Sequence, residues 1–230
     1  MHLFFDLDNT VTRSRTKITP ELKEMLSTTP HTVTIVSGAI CSQIAFQIDG
    51  VPCYKLGQNG NHALTPDDAI LWEERLSKHD EETIHTHIHS IPRTWEVKDP
   101  NDLVQDRGCQ ISYSLLGHNE DVSFKEAFDP HGEKRSAILA AYPFVSDELD
   151  VKIGGTTCFD YTAKGKHKGF YVARLIEQLG WNKDECVYFG DMLFPGGNDE
   201  SVIGVIKTEP VDNPEDTLAK LIALHAEQAA

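Results

Sequence analysis

The chain opens on a short apolar run, Leu3-Phe4-Phe5, that stops at Asp6-Leu7-Asp8. The pattern returns at Val33–Val36, which ends in Ser37-Gly38, and at Val187–Phe189, which ends in Gly190-Asp191. Short runs apolar on both faces predict strands of a parallel sheet covered on both sides. All three end in small, polar or acidic residues, and ligands of open α/β sheets bind at those carboxyl ends. Helices are expected between them. Thr19-Pro20-Glu21 supplies an N-cap, a first-turn proline and a first-turn acid for a helix to about Leu26. Val172, Leu175, Ile176 and Leu179 keep helical spacing up to a capping Gly180, and Thr217–Ala226 shows similar periodicity.

The middle of the chain reads differently. A polar helix is predicted from Asp80 to about His89, and another from Glu133 to Tyr142. Gln110–Leu115 alternates polar and apolar, the pattern of a half-exposed antiparallel strand. Val151–Ile153 and Cys158–Asp160 read as strands around Gly154-Gly155. The fold class is therefore α/β: a Rossmann-like core with a parallel sheet, built from 1–78 and 162–230, and an inserted α+β cap at 79–161.

Composition narrows the function. With 230 residues and 40% of them hydrophobic, the chain can bury a real core. Its net charge of −15 argues against nucleic-acid and anionic-membrane partners, and leaves a small anionic substrate open. No stretch approaches the ~20 apolar residues of a membrane span, and the N-terminal run is broken too early for a secretory signal. Cys41, Cys53, Cys109, Cys158 and Cys186 are scattered and form no C-x-x-C pair. They predict reduced thiols in a cytoplasmic protein rather than a disulfide framework or structural zinc.

Two carboxylates two residues apart at a strand end, Asp6 and Asp8, point the same way. Such crowding is costly unless one is protonated or a cation lies between them, and a divalent metal with oxygen ligands answers it. Asp191, Asn198 and Asp199 follow another strand and add hard oxygen donors. Ser37, with the N–H groups around Gly38, offers donors to an anionic oxygen. Lys168 brings a cation to a helix start, against the macrodipole, as functional sites do. Lys166 competes for that role. Together these parts describe phosphoryl transfer. His85 and His89 share a helix face that His87 does not, and a solvated helix is the simpler reading than a zinc site.

Asp6-Leu7-Asp8-Asn9-Thr10, Ser37, Lys168 and Gly190-Asp191 with Asn198-Asp199 resemble, in order and spacing, the four motifs of the haloacid dehalogenase (HAD) superfamily. The position of the insert is similar to the large-cap, type IIB subgroup. Pro195-Gly196-Gly197-Asn198-Asp199, Gly154-Gly155 with Phe159-Asp160, and Pro214–Thr217 resemble the eukaryotic-type phosphomannomutases within it. The resemblance implies Asp6 as nucleophile, Asp8 as general acid/base with its carbonyl on Mg²⁺, and Asp6 with Asp191 as further ligands. It sets Asn198 and Asp199 in or near the metal site, Ser37 and Lys168 on the phosphoryl group, and Arg15, Gly38, Arg107 and Asp160 on the substrate. It also implies a possible homodimer through the cap.

Three departures shape the functional expectation. Asn9 stands where the superfamily usually has glycine, and Asn tolerates the left-handed turn better than most residues. In Gly117-His118-Asn119-Glu120-Asp121, His118 and the acidic residues stand where cap arginines would grip the remote phosphate. Cys158 replaces a serine near the sugar, and reads as a small apolar filler. Loss of a cap arginine tilts the expectation toward a Mg²⁺-dependent phosphatase acting on a sugar phosphate. Phosphomannomutase is the alternative, and a non-catalytic phosphometabolite binder the third reading.

Overall fold

A computed structural model of the chain describes residues 1–228. It divides into two compact units, Met1–Glu73 with Lys166–Ala230, and Glu74–Gly165. In chain order, the first unit begins with β1 (His2–Phe5), α1 (Pro20–Thr28), β2 (Thr32–Val36), α2 (Cys41–Ile48), β3 (Tyr54–Gly57), β4 (His62–Leu64) and β5 (Ile70–Glu73). The inserted unit carries α3 (Lys78–Ser90), β6 (Val104–Asp106), β7 (Gln110–Ser114), α4 (Val122–Phe128), α5 (Glu133–Ala141), β8 (Leu149–Gly154) and β9 (Cys158–Ala163). The first unit resumes with α6 (Lys168–Leu179), β10 (Cys186–Gly190), β11 (Lys207–Pro210) and α7 (Pro214–Gln228). Among the described residues no helix is long and apolar enough to cross a membrane.

The first unit's sheet runs β11-β10-β1-β2-β3-β4-β5. It is parallel from β11 to β3, then antiparallel through the β3-β4-β5 meander. The three apolar runs are its neighbouring central strands, and the pleat explains why they are apolar on both sides. Leu3 and Phe5 pack with Leu22, Ile44 and Leu221 from α1, α2 and α7. Phe4 points the other way and packs with Tyr171, Val172 and Leu175 of α6. Burying side chains of this size contributes about 1.5–3 kcal/mol each. The caps behave as the sequence predicts. Thr19 accepts from the N–H of Leu22, and Gly180 ends α6 at φ 67°.

The inserted unit is a sheet in the order β6-β7-β9-β8, all neighbours antiparallel. One face packs Ile111, Tyr113, Phe159 and Tyr161 against Ile84 and Ile88 of α3. Two expectations change here. The expected half-exposed strand, β7, is buried along its whole length, its polar face included: Ser112 pairs with Asp160, and Ser114 with Thr157. The unit is also longer than 79–161. Leu76 joins its apolar core and donates to the carbonyl of Gly108, and Lys164 donates to that of Glu148, which ties both flanks to it.

Helix α3 starts at a capping box, with Ser77 and Asp80 bonded reciprocally. His87 is buried, its ring between the Tyr161 hydroxyl and the Tyr142 carbonyl, both at 2.8 Å. His85 and His89 lie on the outer side. Among the described residues the one cluster of three metal-ligating side chains lies elsewhere.

Candidate active site

Three neighbouring parallel strands, β10, β1 and β2, deliver Asp191, Asp6 and Ser37 at their carboxyl ends. Strands lie about 4.8 Å apart, so sheet order alone makes neighbours of residues far apart in sequence. The Asp6 N–H bonds to the Phe189 carbonyl at 2.9 Å, which carries the β1–β10 ladder to its last residue. After it the chain turns back sharply. Asn9 takes φ 60°, Val11 and Thr12 donate to the Leu7 carbonyl, and Asn9 donates to that of Thr12. The turn survives with Asn in place of Gly, as its tolerance of the left-handed region allows. Two further bonds anchor this loop. Thr217 of α7 donates its hydroxyl to the Thr10 carbonyl at 2.7 Å, and Thr10 accepts from the Asp191 N–H at 3.1 Å.

Lys168, first residue of α6, sits inside this arrangement rather than on a surface. Its Nζ donates to Asp6 at 2.5 Å and to Asp199 at 2.8 Å, and its side chain is 1% exposed. Lys166, the competing lysine, instead lies over the Phe170 ring at 4.2 Å. Gly169 makes the approach possible. A Cβ there would stand 1.8 Å from the Ser201 carbonyl oxygen, so only glycine lets α6 start against the segment that carries Asp199. Asp199 is fully buried and held from three sides. Besides Lys168 it accepts from the Tyr188 hydroxyl at 2.6 Å and the Met192 N–H at 3.4 Å.

Asp6, Asp191 and Asp199 each place a carboxylate oxygen within 4.8 Å of the others. Three carboxylates thus share one ammonium. Burial first, then Asp199 and Asp191, push the Asp6 carboxyl up to about 7 against the pull of Lys168. Burial and the Asp199 charge raise Asp191 as well. Lys168 holds its proton above the usual lysine range despite burial, because Asp6 and Asp199 face it. Asp191 Oδ1 is buried without a hydrogen-bond partner. A buried orphan oxygen costs about 1–3 kcal/mol. A hard divalent cation fits this excess of oxygen donors and relieves both the orphan and the repulsion.

The remaining expected residues divide. Asp8 stays out of the carboxylate cluster. Its Oδ1 accepts from the Arg15 N–H at 3.0 Å and the Gln47 amide at 3.1 Å, and Gln47 also donates to Thr12 at 2.7 Å. Arg15 is exposed at φ 58°. Ser37 is buried and accepts from the Ala39 N–H at 3.1 Å. Gly38 beside it and Asn198 are exposed. Arg107 and Asp160 belong to the inserted unit, where Asp160 accepts from Ser112 at 2.6 Å and Arg107 donates to Gln105 at 3.2 Å. Gly154 serves Asp160 directly, since a Cβ there would lie 1.8 Å from an Asp160 carboxylate oxygen. Sequence reading missed Tyr188 and Gln47, and gave no role to Thr10 and Thr217 although both lie in motifs it singled out. The hydroxyl of Tyr188 is hidden in a run that reads as plain apolar strand. Gln47 is a polar residue on the buried face of α2, between Ile44 and Ile48, where its type suggests solvent.

The profile described as eukaryotic phosphomannomutase matches residues 102–227. A phosphomannomutase of Schizosaccharomyces pombe is 26% identical over 95% of this chain and 92% of its own length. One of Arabidopsis thaliana is 29% identical over 96% and 94%. Among solved structures, a phosphatase of the haloalkanoate (HAD) enzyme superfamily from Bacteroides thetaiotaomicron superposes with a TM-score of 0.66 at 15% identity, covering 97% of this chain and 93% of that one.

Proposed function

Because the chain belongs to the eukaryotic phosphomannomutase family, within the haloacid dehalogenase superfamily, we propose that it moves a phosphoryl group between two oxygens of a hexose phosphate, with mannose 1-phosphate and mannose 6-phosphate as the pair. The observation that carries this reading is the buried Asp6–Lys168–Asp199 bridge beside the orphan oxygen of Asp191. It supplies a nucleophile, a fixed cation and a cation-binding carboxylate in one place. The relatives' shared name turns the preference from hydrolysis toward transfer.

The chemistry follows from the groups. An Asp6 carboxylate oxygen attacks phosphorus, and the bond from phosphorus to the sugar oxygen breaks. Asp8 gives the departing oxygen its proton. With Asp6 primed in this way by a hexose bisphosphate, Asp8 takes the proton of a hydroxyl of the hexose monophosphate, which attacks the phosphoryl group on Asp6. The bisphosphate so formed turns, and its other phosphoryl group returns to Asp6 by the first step. Gln47 and the Arg15 N–H hold the Asp8 carboxylate in one orientation for both steps. Lys168 and the Ser37 hydroxyl face the charge on the transferring oxygens. Mg²⁺ held by Asp6, Asp191 and the main-chain carbonyl of Asp8 would add Lewis-acid polarisation of those oxygens. Asp199, its oxygens already engaged, acts by holding Lys168.

One observation favours the hydrolytic reading. His118, at the expected arginine position, commits its Nε2 to the Ser112 carbonyl at 3.1 Å. An assay of both mannose phosphates with Mg²⁺ and a hexose bisphosphate activator decides the matter. Rapid interconversion with little free phosphate is expected. Stoichiometric phosphate release would replace the mutase reading with a phosphatase. Binding without turnover would leave only a phosphometabolite binder.

A further inference from the structure

Cys158 is the half-buried cysteine of the five; the other four are buried. It starts β9 on the polar face of the inserted sheet, opposite Ser114 on β7 and Gly154 on β8. Its sulfur lies 4.0 Å from Nδ1 of His118 and 3.8 Å from the Thr157 hydroxyl. The other side of the His118 ring settles the tautomer. Nε2 faces the Ser112 carbonyl at 3.1 Å, and a carbonyl only accepts, so Nε2 carries a hydrogen. In the neutral ring Nδ1 is then the bare nitrogen, and it faces the thiol. This is the arrangement in which an imidazole takes the proton of a cysteine: one ring nitrogen fixed by a main-chain oxygen, the other free to receive.

The surrounding charges act in both directions. Asp160, two residues along the same strand face, opposes a thiolate. Arg107 opposes a charged His118. Lys125 reaches in from α4, its amine on the His118 carbonyl at 2.8 Å. Lys152 of β8 pairs across the strand with Asp160. Burial disfavours both charged forms, yet their mutual attraction lowers the Cys158 thiol and raises His118.

We propose that Cys158 is the reactive cysteine of this protein, a thiolate paired with the His118 imidazolium and open to modification by small electrophiles, hydrogen peroxide among them. With peroxide, the sulfur attacks one oxygen and the O–O bond breaks. The departing hydroxide takes a proton from His118 and leaves as water. The sulfur, oxidised by two electrons, becomes a sulfenic acid as peroxide is reduced. This proposal stands against the expectation of a small apolar filler at this position.

The folded chain is treated with limiting iodoacetamide between pH 5 and 10, then unfolded and digested, and each cysteine is quantified by mass spectrometry. At pH 7 Cys158 should be alkylated about tenfold faster than any other cysteine, with a midpoint below the ~8.5 of a free thiol. His118→Gln retains a donor for the Ser112 carbonyl but cannot take a proton. It should move the midpoint above 8.5 and slow the pH 7 reaction about threefold or more. Dimedone trapping after peroxide should label Cys158, and Cys158→Ser should abolish that label. Alkylation of Cys158 no faster than the other four, or a wild-type midpoint at or above 8.5, overturns the proposal. The wild-type profile alone decides if His118→Gln fails to fold.

Discussion

Lys168 in the sheet unit and Arg135 in the inserted unit are both buried cations held by aspartates, 1% and 2% exposed. Their surroundings differ in one respect that separates function from structure. Arg135 is balanced, and each of its three side-chain nitrogens has an acceptor. Its Nε meets Asp129 at 2.8 Å, and its other nitrogens donate to the carbonyls of Asp129, Gly154 and Gly155. Asp129 in turn accepts from the N–H groups of Lys134 and Arg135. Burial pushes Asp129 up, but Arg135 and those N–H donors hold it below the usual carboxylate range. Lys168 instead faces a surplus of carboxylates, one oxygen of which has no partner. A closed network fixes a turn. An overcharged and unfinished one is a place for a ligand.

The comparison breaks if both sites respond alike to removal of one charge. The largest effect is expected for Asp6→Asn, a loss of phosphoryl transfer of about 10⁴-fold or more, since a nucleophile is removed. Without metal at pH 8, the same variant should melt at or above the wild-type temperature, because it relieves repulsion. The sign of the pH dependence follows from linkage. An acid raised to about 7 when folded weakens the folded state as pH rises from the usual carboxylate range through 7. The variant's advantage should therefore shrink as pH falls to 5, and also when Mg²⁺ is added at pH 8. A melting temperature well below wild type under metal-free conditions would make Asp6 a structural strut.

Arg135→Met should do the opposite. It strands Asp129 and should cost about 3–5 kcal/mol, or about 10 °C in melting temperature for a chain of this size. The double change Arg135→Met with Asp129→Leu should recover much of that loss. If the single change is mild, the balanced pair is not what holds the Gly154-Gly155 turn. Tyr188→Phe removes one bond to Asp199 and should cost about 1 kcal/mol in stability. The shift in turnover should exceed the shift in melting if Asp199 acts by holding Lys168. The smallest effect belongs to Arg13→Ala, which breaks the exposed pair with Glu215. It should leave the melting temperature nearly unchanged, and any shift should shrink at high salt.

The lysine-bridged site was legible in the sequence because its chemistry sits at strand ends. Apolar runs give the strands, and the residues after them give Asp6, Ser37 and Asp191. The Arg135 site was not legible. An arginine in a helix with modest periodicity looks like surface, and nothing local shows that it reaches carbonyls 19 and 20 residues away. The same reason hides α2. It is capped by Ile40 without a side-chain bond and shows no start signal. The β4–β5 hairpin and β6 have strands of three or four residues, too short for a periodicity to register. Ser112 was read as solvent-facing because alternation reports side, and whether that side meets water depends on partners from distant sequence.

The bond from Thr217 to Thr10 spans 207 residues, and β1 needs β10 for one of its two neighbours. This places a delay in the life of the protein. The loop bearing Asp6 and Asp8 is made before every other part of the site. Lys168 follows it by about 160 residues, roughly 10–30 s of synthesis at 5–20 residues per second, and the α7 threonine later still. Until then the nascent chain carries its acidic motif without the cation, the flanking strand or the clamp that give it shape. The site cannot be completed until α7 has been made, and a chain stopped before α7 keeps every residue of the first motif without the Thr217 clamp on its loop.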